Sequence, residues 1–126
     1  MKSLTLILEA YWGLIVHDAF MARHDLRALH LRIKSFPVRQ TKETAEAIER
    51  AVHALDVACV FYPKPVLCLQ RSAVLMKILR KRGAPARVVI GAQKLPFKAH
   101  AWVEVNGQII NDRLASRERF LVLEEC

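Results

Sequence analysis

With 126 residues and 53% hydrophobic content, the chain is long enough for one core and short for two. A single domain over 1–126 is expected, since four glycines, five prolines and no low-complexity run leave no room for a linker. The net charge of +8 is uneven, with eight Lys/Arg against seven Asp/Glu in residues 1–63 and twelve against five in 64–126; this would steer an acidic peptide, whereas no aromatic RNA-binding motif accompanies it, which argues against nucleic acid.

In chain order, Lys2 leads into an apolar stretch from Leu4 to Val16 that Glu9 interrupts and His17-Asp18 close. It imitates a signal peptide but falls short of the roughly 20 apolar residues of a membrane span, so no span is expected. Leu4, Leu8, Tyr11, Trp12, Ile15 and Ala19 recur at helical spacing and predict an amphipathic core or partner-docking helix over 4–20. Residues 21–40 read as a basic, irregular connection, because Pro37 disfavours helix at the residue before it. After Thr41, with Glu43 and Glu46 in the first turn, Thr44, Ala45, Ile48, Val52, Leu55 and Val57 or Ala58 give a second long helix.

Pro63 and Pro65 break regular structure. A helix over 67–82 follows through Leu67, Leu75, Ile78 and Leu79, ending on Arg80-Lys81-Arg82 with Gly83 as a left-handed cap and Pro85 beyond. Then Val88-Val89-Ile90, residues 99–105, Ile109-Ile110 and Phe120 to Leu123 are short strands, and Asn106-Gly107 is a hairpin signal. The fold class is α+β: N-terminal helices over 1–63, then a helix and an antiparallel sheet over 64–126.

Three cysteines, Cys59, Cys68 and Cys126, form no CxxC pair and are unlike a secreted disulfide framework; a reducing cytoplasm fits. Cys68 falls in the first turn of its helix, where unpartnered backbone N–H groups and the macrodipole favour an anion. They would stabilise a thiolate, and could equally hold the oxyanion of a tetrahedral intermediate. The structural alternative is a small buried hydrophobe, the role expected of Cys59, while Cys126 reads as a loose terminus.

Alternation along 99–105 puts His100, Trp102 and Glu104 on one strand face, and beside a helix-terminal cysteine His100 becomes a general-base candidate. A third member depends on the hairpin register. A two-residue Asn106-Gly107 turn pairs Val105 with Gln108 and sets His100 opposite Arg113, with Asn111 diagonal. A three-residue loop with Gly107 in a bulge pairs Glu104 with Gln108 and sets His100 opposite Asp112. Only the second register gives Cys-His-Asp, so the bulged loop is expected, with Asn111 as the alternative orienting residue.

Cys68-Leu69-Gln70-Arg71-Ser72, Gly83-Ala84-Pro85-Ala86, Val89-Ile90-Gly91, residues 96–105 and Asn111-Asp112 together resemble the core of the lasso-peptide leader peptidases, a transglutaminase-like branch of the cysteine proteases. The likeness covers about half the chain. It implies a transglutaminase-like or papain-like core with the nucleophile at a helix N-terminus, and a Cys68, His100, Asp112 triad. Its substrate would be the leader of a ribosomally made precursor, cut before a separate asparagine-synthetase-like cyclase closes the ring. Fused relatives carry a leader-recognition domain before the peptidase; with only helical sequence before Cys68, a stand-alone form using a separate recognition protein is expected. Wider transglutaminases tend to carry Gly before and Trp after the cysteine, where this chain has Leu67 and Leu69, and no calcium loop is visible.

Arg71 and Ser72, one turn beyond Cys68, would bind substrate or brace the preceding loop. Trp102 would wall the cleft or fill the core. His17, His24, His30 and His53 lack ligand spacing, so neither metal nor cofactor is expected. Acyl or amide transfer on the same triad, or a non-catalytic binding module, are the competing functions.

Overall fold

Four helices precede four strands: α1 (Lys2–Met21), α2 (Leu26–Ser35), α3 (Ala45–Phe61), α4 (Cys68–Lys81), β1 (Ala86–Gln93), β2 (Lys98–Val105), β3 (Gln108–Ile109) and β4 (Leu121–Glu125). The computed structural model describes residues 2–35, 45–93, 98–105, 108–110 and 121–125. The strands form one antiparallel sheet in the order β3-β2-β1-β4. The expected α+β plan is what the chain adopts.

The long N-terminal helix forms slightly beyond its expected bounds. By length and composition alone Leu4–Met21 reaches what a bilayer crossing needs, which corrects the expectation that the stretch is too short. Its packing is that of a core helix on one side: Leu6, Ala10 and Leu14 are buried, while Leu4, Leu8, Trp12 and Ile15 are exposed. Glu9 reaches the end of α4, with Arg82 Nη2 at 2.7 Å and Lys81 Nζ at 3.4 Å.

The second correction is α2, which occupies part of the stretch read as irregular. Asp25 Oδ1 accepts the N–H of Ala28 at 2.9 Å, an N-cap that satisfies one orphan donor. Leu29 and Ile33, one helical turn apart on the inner face, are buried. The basic residues that make the stretch look irregular belong to the other faces of the helix, Arg27 and Lys34 being exposed. The helix runs to Ser35, the last described residue before the segment that holds Pro37.

α4 is the element on which the rest converges, packing on α1, α3, β1 and β2. Its C-terminus closes as the sequence predicts. Gly83 adopts φ 98°, and the N–H of Ala84 donates to Leu79 O at 2.9 Å, the six-to-one bond of a Schellman ending. Arg80, only 9% exposed, donates from Nε to Ala86 O and from Nη1 to Ile33 O, both at 2.8 Å. One buried guanidinium thus joins the end of α4 to α2 and to the start of β1.

Strand alternation divides the apolar residues into two clusters. Val88, Val103 and Val105 join the helical core with Leu14, Ile33, Leu55, Leu75 and Leu79, whereas Val89 and Trp102 pack with Ile109 and Val122.

The β2–β3 register is the third correction. Val105 pairs with Gln108 and Glu104 with Ile109, and the Ile110 N–H donates to Val103 O at 3.1 Å. Two residues therefore separate the paired positions, the connection length that Asn-Gly favours, because its backbone twist matches the flanking strands. The bulged loop with Glu104 opposite Gln108 is not formed. Asn106, Gly107, Asn111, Asp112 and Arg113, on which the partner of His100 depends, lie outside the described residues.

α1 and α4 touch closely enough to exclude a side chain at Gly13, where an added Cβ would lie 2.9 Å from Val74 Cγ1. In an open helix Gly→Ala gains about 1 kcal/mol. Here the stiff Val74 side chain must move, so Gly13→Ala is expected to lose about 1–2 kcal/mol net; a rise in the urea midpoint would show that the helices separate freely.

Candidate active site

The turn before α4 exposes a helix start that nothing in its own sequence closes. Leu67 is the N-cap, extended at φ −77° and ψ 158°, with no side-chain cap bond, and the first turn holds no acid. Leucine has no side-chain acceptor for the first amides, so no local side chain caps this helix start and no local carboxylate opposes its dipole. Cys68, the first helical residue, is half-buried with a free thiol. An anionic sulfur or oxygen at this point would meet both the amides and the positive end of the dipole. Cys59 contrasts with it: half-buried within α3, its thiol is pushed up by burial, and it packs as the small hydrophobe expected of it. Cys126 lies outside the described residues.

Both flanks of Cys68 are held by one turn of α1. Upstream, the Tyr62 hydroxyl donates to the Asp18 carboxylate and lies 3.3 Å from Leu14 O, and Lys64 Nζ is 2.9 Å from Asp18 Oδ1. Downstream, Gln70 Nε2 donates to Leu14 O at 3.1 Å and also bonds to Asp18. Burial pushes the Asp18 carboxyl up, but hydrogen bonds from Tyr62, Lys64 and Gln70 outweigh it and hold the group below its ordinary value. Burial, followed by the bond to Asp18, raises the Tyr62 phenol to about 12. The sequence reading missed Asp18, Tyr62 and Gln70; the one local signal was an acid closing an apolar helix.

Arg71 pairs with Asp56 and so ties α4 to α3. Ser72 is fully buried, and its hydroxyl has no partner among the described residues.

His100 sits third in β2, half-buried, with Gly91 as its cross-strand neighbour. Gly91 carries no side chain and stands at the register shift between β1 and β4, which leaves room beside the imidazole. The expected face is formed: the His100 and Trp102 ring centroids are 5.9 Å apart, and Trp102 Nε1 donates to Glu104 Oε2 at 2.8 Å. Trp102 is fully buried and Glu104 4% exposed, so Trp102 is a core aromatic that flanks His100. This face is the one opposite Val103 and Val105, which meet the helices. The structure thus groups His100, Trp102 and Glu104 on the sheet face turned away from the helices and sets Cys68 at the head of α4, which packs on the opposite face. Among the described residues no group of three or more His, Cys, Asp and Glu is arranged to hold a metal ion.

The sequence matches the transglutaminase-like superfamily over residues 14–125, which takes in α4 and the whole sheet. The chain belongs to that superfamily. Within this family setting, the chain is also 45% identical over 58 residues to the microcin J25-processing protein McjB of Escherichia coli. That match covers 46% of the chain and 28% of the relative's length. No solved structure gives a significant match.

Two outcomes are expected of this site. Because the Asp18 carboxyl titrates lower in the folded than in the unfolded chain, its contribution is complete above about pH 5 and is lost as pH falls through the acid range. Asp18→Asn is therefore expected to cost about 1–3 kcal/mol at pH 7 and to flatten the decline of stability between about pH 5 and 2; parallel curves for both proteins would remove Asp18 from this role. Iodoacetamide at neutral pH is expected to label Cys68 well before Cys59, read by peptide mapping; equal rates would deny the helix start any effect on the thiol.

Proposed function

We propose that the chain is a cysteine endopeptidase that removes the leader peptide from a lasso-peptide precursor, with Cys68 as nucleophile and His100 as general base. The observation that carries this reading is the 45% identity to a protein named for microcin processing, in a chain whose cysteine begins an uncapped helix. The resemblance of residues 68–112 to lasso-peptide leader peptidases points the same way.

This mechanism requires the His100 ring to reach Cys68 past the edge of the sheet; His100 then accepts the thiol proton and the Cys68 sulfur attacks the scissile carbonyl, forming a C–S bond while the carbonyl electrons move to oxygen. The amides at the start of α4 would receive that oxyanion. Collapse breaks the C–N bond, and His100 returns the proton to the amine of the departing core peptide. The leader remains as a thioester. Water, deprotonated by His100, then releases the leader carboxylate and restores the thiol. With the two-residue register, Asn111 becomes the first candidate to hold the imidazole from behind and Asp112 the second. Binding energy would come from a separate leader-recognition protein in the cytoplasm, and an asparagine-synthetase-like cyclase would take the freed core peptide.

Precursor, recognition protein and this chain, incubated together and followed by mass spectrometry, test the proposal. Cys68→Ala and His100→Ala are each expected to slow cleavage by at least about a thousandfold, and omission of the recognition protein to lower kcat/KM. Unchanged cleavage by Cys68→Ala would sink the assignment, and products joined to an added amine would make the chain a transferase.

A further inference from the structure

Six residues, 62–67, join α3 to α4, and the ion pair between Asp56 and Arg71 fixes how the two helices lie side by side. One helical turn from that pair towards the connection stands Val60 on α3, and one turn from it on the other helix stands Leu67, whose carbonyl accepts the Arg71 N–H at 3.0 Å. Both therefore border the same side of the hairpin, and Leu67 adjoins Cys68. With Phe61 they are the three most exposed large apolar side chains among the described residues, at 78% for Val60, 72% for Phe61 and 71% for Leu67. The connection that presents them is anchored from behind. Tyr62 donates to Asp18 and packs edge-on against Tyr11 with ring centroids 5.4 Å apart, and Lys64 Nζ is 2.9 Å from Asp18 Oδ1.

We propose that Val60 and Leu67, with Phe61 beside them, form an apolar shelf that receives an aliphatic or aromatic side chain of the acyl substrate of Cys68. The role of the shelf rests on Cys68 being the nucleophile of the proposed peptidase. A peptide whose carbonyl reaches the thiol must pass these side chains, which carry no charge and no hydrogen-bonding group and so reward burial alone. Three side chains are far short of the roughly 800 Å² per partner of a stable protein interface, but they match one or two side chains of a substrate. An extended peptide advances roughly 3.3 Å per residue, so the group received belongs to one of the two residues nearest the attacked carbonyl. Because the shelf is already held in place, little ordering opposes binding.

The test alkylates the full chain with chloroacetyl-leucinamide, chloroacetyl-glycinamide and the α-amide of chloroacetyl-glutamic acid, which differ in the side chain next to the electrophile. In each case the thiolate sulfur bonds to the chloroacetyl carbon as chloride leaves, so labelling needs the thiol and no cleavage. Rates at Cys68 and Cys59 are read by peptide mapping and divided by those for glutathione. The leucine probe is expected to label Cys68 at least about fivefold faster than the glycine probe, with no gain for the glutamate probe and no preference at Cys59. Val60→Ala combined with Leu67→Ala is expected to bring the leucine-to-glycine ratio close to one, whereas Leu31→Ala, at an exposed apolar position on α2, keeps it. Taking the ratio within each protein cancels any change in the thiol itself. Equal corrected rates for the leucine and glycine probes, an equal gain with glutamate, or an unchanged ratio in the folded double variant would each overturn the proposal. The wild-type rates decide it even if the variant fails to fold. Precursor cleavage without a leucine preference strikes the shelf alone, and a leucine preference without cleavage strikes only the peptidase reading.

Discussion

α4 is buried along most of its length between two helices and a sheet, and a helix in that position must still resolve the polar groups at its two ends. The two ends are resolved in opposite ways. At the C-terminus, Gly83 turns the chain, the Leu79 carbonyl is satisfied, and Arg80 binds backbone carbonyls of α2 and β1. At the N-terminus, Leu67 offers no side-chain acceptor to the first amides, while neighbouring side chains secure the approach. A closed end and an end without a side-chain cap thus belong to a single helix that is both the centre of the core and the carrier of Cys68.

That approach is secured from far away in the chain. Tyr62, Lys64 and Gln70 reach back more than forty residues to one turn of α1. The thiol's surroundings therefore depend on helix packing as much as on the turn containing Pro63 and Pro65. The same logic applies to His100, whose room comes from Gly91 across the strand pair and whose flank is a buried Trp102 locked by Glu104.

What could be read from the chain beforehand follows the range of the interactions. The helix starting at Cys68, the Gly83 cap and the shared face of His100, Trp102 and Glu104 are local patterns, and they are found as expected. α2 was obscured because its charges outnumber the two buried positions, Leu29 and Ile33, that define its inner face. The hairpin register was legible in the Asn-Gly pair, which favours a two-residue connection, whereas a Cys-His-Asp pattern alone points to the bulge. Asp18 and Gln70 were out of reach, because nothing within a few residues of either points to the other. The family was legible only through the resemblance of the short motifs from Cys68 to Asp112 to those of a known family.

The chain's two tryptophans stand in opposite surroundings. Trp12 lies on the outer face of α1 at 65% exposure, and Trp102 is at 0% within the sheet. Their emission divides accordingly: a red-shifted component open to collisional quenchers reports on whatever covers the outside of the first helix, and a shielded one reports on the strand that carries His100. The native protein thus holds two optical reporters, one for its surface and one beside its histidine, with no label added.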